Sequence, residues 1–141
     1  MSIQKIREEL KSLIEEGVKN LPVPYAKGNS IRIGSMVVRS SSHGHLVYDI
    51  EENKKIAHCF SKRAAIAIAK NIAEGRNKNI VREVKTIDDM LSKHYNDALF
   101  FKHGLYTTKE ASRKDILETR LDISMYKVDA CKHQLDQFIY N

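Results

Sequence analysis

The chain has no tryptophan, two cysteines, two prolines and six glycines in 141 residues, and only 7% of it is aromatic. Cys59 and Cys131 lie far apart and share no short metal-ligand spacing. Neither a disulfide framework nor a zinc knuckle is implied, and the two read as buried thiols behaving as small hydrophobes. Both prolines, Pro22 and Pro24, fall in one segment with Gly28 and Asn29, which breaks the chain there and leaves the rest free to form long regular elements. No apolar run approaches the ~20 residues needed to span a bilayer. The start, Ile3 to Glu9, is a charged helix pattern without a leader's apolar stretch, so the sequence reads as neither membrane-spanning nor secreted.

What is there is 42% hydrophobic and 30% charged residues in a chain of 16.2 kDa, a balance that favours one folded domain with a modest core over a disordered chain. The net charge of +6 is unevenly placed. From Lys54 to Lys85 nine basic residues stand against Glu74 and Glu83, whereas residues 81–141 are balanced at ten of each sign. A local excess of that kind attracts phosphates or an acidic partner surface, although solvated helix rims are also lysine-rich.

Spacing defines the elements. Ile3, Ile6, Leu10, Leu13, Ile14 and Val18 recur at helical steps behind Ser2, a good N-cap. Residues Ile31–Arg39, Leu46–Glu51 and Lys55–Phe60 are rich in β-branched and aromatic types, and predict a three-stranded antiparallel meander. The apolar pattern favours a register in which Ile50 faces Ile56, Tyr48 faces His58 and Leu46 faces Phe60, with Asn53 left-handed in the turn. Ser61 caps a helix over Lys62–Glu74 that Gly75 stops; its alanines and isoleucines make it apolar on two sides, as in a sandwiched helix. Ile80–Val84 reads as a short fourth strand. A helix then runs from a Thr86/Asp89 capping box to a stop at Gly104, and a last helix from Thr108 to about Ile139 behind a Thr107/Glu110 box.

The last helix carries a seven-residue period. Asp115, Asp122, Asp129 and Asp136 occupy one heptad position, Leu121, Val128 and Leu135 the one before, and Leu117, Cys131 and Phe138 the complementary seam, with Ser124 interrupting. At ~48 Å it is far longer than a preceding helix of ~27 Å. The excess stripe predicts docking, on helix 1 or on another chain. The fold class expected is α+β: an αβββα unit over residues 1–80, then a helical hairpin over 86–141 packed on it or on a partner. Leu121, Val128, Leu135, Phe138 and Tyr140 are the expected interface or inter-element contacts.

Catalytic templates fail. The glycines form neither a dinucleotide fingerprint nor a P-loop, and there is no Gly-x-Ser-x-Gly, His-Glu-x-x-His or Cys-x-x-Cys. His43, His45 and His58 could meet at a turn, but no further ligand completes a metal set. His94 and Asp97 are helical neighbours in the polar run Lys93–Asp97, followed by Lys102 and His103, with no nucleophile beside them. Ser40–Ser42 reads as a turn. The chain is expected to be no enzyme and to have no cofactor, metal or small-molecule substrate.

Two resemblances add to this. The order helix, three strands, helix resembles the double-stranded-RNA-binding domain, and Ser61-Lys62-Arg63 falls where that family places phosphate-contacting lysines. The resemblance implies a nucleic-acid surface of Lys54, Lys62, Arg63, Arg76 and Lys78, although the denser basic cluster and the proline-containing loop of that family are missing here. Over the whole chain, Val47-Tyr48-Asp49-Ile50, Lys55-Ile56-Ala57, Phe60-Ser61, Ala64-Ala65, Ala67-Ile68-Ala69-Lys70, Lys93-His94-Tyr95-Asn96-Asp97 and Arg120-Leu121-Asp122 look like small proteins of tailed marine bacteriophages. That implies a virus-encoded component of the virion, in the capsid or at the head–tail junction, found in the particle or the host cytoplasm. The leading expectation is therefore a structural or assembly protein that works through a protein partner or homo-oligomer; nucleic-acid binding is the alternative.

Overall fold

The computed structural model describes residues 2–18, 30–75 and 79–140. Helix α1 spans Ile3–Glu15, and Ser2 Oγ accepts the Lys5 N–H at 3.3 Å. Its apolar stripe buries Ile6, Leu10 and Ile14, while Ile3 and Leu13 remain exposed. The Pro22–Ser30 break falls mainly outside the described residues.

The sheet has four antiparallel strands in sequence order, β1 Ser30–Ile33, β2 Met36–Ser41, β3 Gly44–Asp49 and β4 Lys54–Cys59, where the sequence suggested three. The expected first strand is split at Gly34, whose φ of +59° lets the chain turn back so that Ile33 pairs with Met36. The β3–β4 register also differs from the expected one. Leu46 pairs with His58 and Val47 with Ala57, and a bulge beyond Val47 then sets Tyr48 against Lys55. A pattern of alternating faces fixes which residues share a side, but not a slip of two positions, which keeps every face unchanged. Asn53 is left-handed as expected, at φ 53°, and its carboxamide oxygen accepts from the Tyr48 hydroxyl. Asp49 Oδ1 accepts from the Glu51 and Glu52 N–H groups and holds the same turn.

In β3 and β4 the core face of the sheet is the side bearing the smaller residues. Val38, Val47, Ala57 and Cys59 are buried, whereas Leu46, Tyr48 and Ile56 are partly open. The reason lies in α2, Lys62–Ala73, whose residues 63–69 are all buried. Alanine on both sides brings its axis close to the sheet and to the helices behind, so the facing strand positions need little volume. The helix is sandwiched between the sheet and the hairpin of α3, Asn79–Thr107, and α4, Ala111–Tyr140. Among the described residues no helix is long and apolar enough to cross a membrane.

Three boundary expectations are corrected. Ile80–Val84 is helical: Ile80, Val84, Asp88, Leu91 and Tyr95 follow helical steps and pack inward, and this overrides the β-branched run. Thr86 is inside α3 and donates to Arg82 O at 2.9 Å, so it caps nothing. Gly104 does not end the helix; a Cβ there would lie 3.2 Å from Leu117 Cδ1, so glycine serves the close approach of α3 and α4, and the turn falls at residues 108–110. The hairpin arms are therefore 29 and 30 residues, and α4 does not outrun its partner as the sequence led one to expect.

Candidate functional site

The sequence candidates among the described residues fall in several different places. Val128 and Leu135 are buried in the chain's own core, Leu121 and Phe138 pack partly against it, and Tyr140 is exposed. The first four are inter-element contacts, and the end of the helix is tied down by Phe138 O accepting from Asn71 Nδ2 at 2.8 Å and Ile139 O from Lys70 Nζ. Lys54 is exposed beside Glu52, at 2.9 Å, on the rim of a cavity whose other charges are Asp49, Glu52 and Lys55. Arg76 and Lys78 lie outside the described residues.

The start of α2 is the clearest departure from the phosphate-binding expectation. Its N–H donors are satisfied from within. Ser61 Oγ accepts from Ala64 N–H, Glu15 Oε1 from Lys62 N–H, and Asp88, on α3, from Phe60 N–H at 2.6 Å, Ser61 N–H at 3.0 Å and the Ser61 hydroxyl at 2.7 Å. Two carboxylates thus stand where a phosphate would bind. Arg63 is only 5% exposed; its guanidinium donates to Ile14 O and Glu16 O at the end of α1 and to Asp136 on α4 at 2.9 Å. It clamps three helices and does not present to solvent.

The histidines do not assemble a metal centre: among the described residues no group of three or more His, Cys, Asp or Glu is arranged to hold an ion. Both thiols are free and buried, and burial pushes Cys59 up to about 12. His94 is lowered mainly by burial and next by Lys127, with its helical neighbour Asp97 opposing. Tyr95 is turned inward, donates to Arg7 O at 3.2 Å and meets Phe60 edge to face; Lys102 pairs with Glu9 at 3.3 Å. The polar run 93–103 is therefore partly a seam against α1.

Two further surfaces remain. One is a groove between α1, the β2–β3 turn and α3, formed by three adjoining cavities of ≈ 320, 290 and 300 Å³ that all share Lys11 and Phe60. Gly44 makes it possible: at φ +127° it lays the turn on β4, where a Cβ would come within 2.7 Å of the His58 ring and 2.8 Å of Cys59 O. The residues come from four separate elements, and only the fold gathers them. The other surface is on α4, where Ile116 and Ile123 are half exposed one heptad apart, about a third of a turn round from the buried seam, with Tyr126 77% exposed nearby.

His45 sits at one end of the groove. Its Nδ1 is 2.7 Å from Ser40 Oγ and its Nε2 is 3.9 Å from Glu15 Oε1. Burial, then Lys62 and Lys11, lower it from 6.5 to about 4, and burial raises Glu15, so the pair is no ion pair at neutral pH. The signs differ. The folded state penalises protonated His45, so its stabilising effect is complete above 6.5 and lost as pH falls toward 4; the Glu15 penalty appears as pH rises above 4.5. The His45 contribution to acid lability is up to ~3 kcal/mol. Urea denaturation at pH 7 and pH 4.5 is expected to show a smaller acid loss in His45→Gln than in the parent; equal losses would refute the assignment.

Comparison with known protein families, curated proteins and solved structures finds no match to the chain.

Proposed function

We propose that the protein is a non-enzymatic structural or assembly component of a bacteriophage particle, in the capsid or at the head–tail junction, and that it acts through protein contacts made by its hairpin. The observation that carries the reading is the row Ile116, Ile123 with Tyr126 on α4. Single exposed apolar side chains are ordinary on any protein. Here two isoleucines recur at seven-residue spacing on a helix whose inner seam is already filled by the chain itself, and a second row at that spacing suits a further helix laid alongside. The particle as the setting rests on the motif resemblance expected from the sequence, and a core closed within one chain suits a unit that docks already folded.

The test is light scattering of the parent and of Ile116→Ser/Ile123→Ser, together with mass spectrometry of purified particles. The double variant should keep the thermal midpoint and lose self-association or particle incorporation. A parent that stays monomeric at high concentration and is missing from particles would sink the proposal.

A further inference from the structure

We propose that the groove floored by Phe60 binds a nucleotide, a phosphorylated ligand with a planar ring, independently of any role of the hairpin. Its two ends differ in chemistry. At one end Lys85 reaches the rim already oriented, donating to His58 O at 2.7 Å and lying 3.5 Å from Asp89. An ammonium has three N–H donors, so one is left for a ligand. Lys11, which borders all three cavities, has no hydrogen-bond or ion-pair partner among the described residues, and the Arg7 guanidinium lies at the rim between Gln4, at 3.4 Å, and the Tyr95 hydroxyl. Three cations and the Ser42 and Ser92 hydroxyls thus face one trough against Asp89, which Lys85 already offsets. That set matches a phosphate monoester.

The middle and the far end suit a base. Phe60 is half-buried and held by its edge-to-face contact with Tyr95, ring centroids 5.0 Å apart, so its ring is a fixed platform for stacking. Beyond it lies Glu15, whose Oε2 is buried without a hydrogen-bond partner. Among the described side chains that is the one buried polar atom left unsatisfied, and an orphan acceptor of this kind is costly unless something donates to it. A base edge carrying N–H groups does so after a small rotation of the carboxyl. Each cavity lies near the lower end of the volumes seen for small-ligand sites, and the three adjoin through shared lining residues.

A free nucleotide and the terminal nucleotide of a strand share this chemistry, and titration separates them. The full-length chain is titrated calorimetrically with AMP, GMP, CMP, UMP, inorganic phosphate and a short single-stranded oligonucleotide, at low and high salt. Lys11→Ala and Phe60→Leu are run in parallel with a thermal melt to confirm folding. Expected is saturable binding of at least one mononucleotide, weakened by salt and about tenfold by each substitution. Binding of the oligonucleotide alone, with the same loss in both variants, also supports the site and assigns the strand as source. No binding by any probe overturns the proposal. So does inorganic phosphate binding as tightly as the nucleotides, which would leave the platform without a role, or affinity that Lys11→Ala does not change.

Discussion

Arg63→Ala should destabilise the fold by about 3 kcal/mol, since it removes the buried partner of a charge pair whose carboxylate is a quarter exposed and strips two carbonyls of their donor. The guanidinium is the shared contact of three helices: it lies on α2, accepts nothing, and donates to Ile14 O and Glu16 O of the α1 end and to Asp136 of α4. Without it two carbonyls and a carboxylate lose their donors in one step. A loss of that size takes a large share of the 5–15 kcal/mol that holds a typical domain together. Arg63→Lys should recover only part of it, because a single ammonium cannot fork toward three acceptors on different helices. Removing both charges, Arg63→Met with Asp136→Leu, should be milder than Arg63→Ala alone. Urea denaturation of the four chains decides the matter; an Arg63→Ala midpoint close to the parent's would show that the clamp is weak.

Asp88→Ala is expected to cost about 3 kcal/mol, since three donors, Phe60 N–H, Ser61 N–H and the Ser61 hydroxyl, would be left buried and unpaired. Asp88 is fully buried on α3, and it fixes the corner where β4 becomes α2. Asp88→Asn keeps the shape but turns one acceptor into a donor facing other donors, so it should fall between parent and alanine variant. Hydrogen exchange gives the specific readout. The Phe60 and Ser61 amides should lose protection in both variants beyond what the global loss explains; protection that follows global stability alone would mean that Asp88 does not hold this corner.

Neither residue stands out in the sequence. Arg63 reads there as a phosphate-contact candidate in a basic stretch and Asp88 as a polar position near a helix start, because the partners of each are distant along the chain. The same limit applies to the groove. Lys11, Phe60 and Lys85 belong to α1, to the β4–α2 corner and to α3, and no spacing rule links them. Ser61, Gly75, Asn53 and the two-sided apolarity of α2 were legible, since each is a local preference acting over a few residues. Gly34 and Gly104 were not. The same residue type makes a hairpin turn at one and a helix–helix approach at the other, and only the neighbours distinguish them.

The sequence alone determined the α+β class, the helix starts at Ser2 and Ser61, the turn at Asn53 and the burial of α2 between two layers. These follow from periodicity and capping, which act within one element. Tertiary packing decided the fourth strand, the face of the sheet that meets the core, the helical state of Ile80–Val84 and the nearly equal length of the hairpin arms. It also turned the cation at residue 63 from a surface charge into an internal clamp. The physical reason is common to all of them: burial energy is gained against a partner surface, and that surface is set by the whole chain.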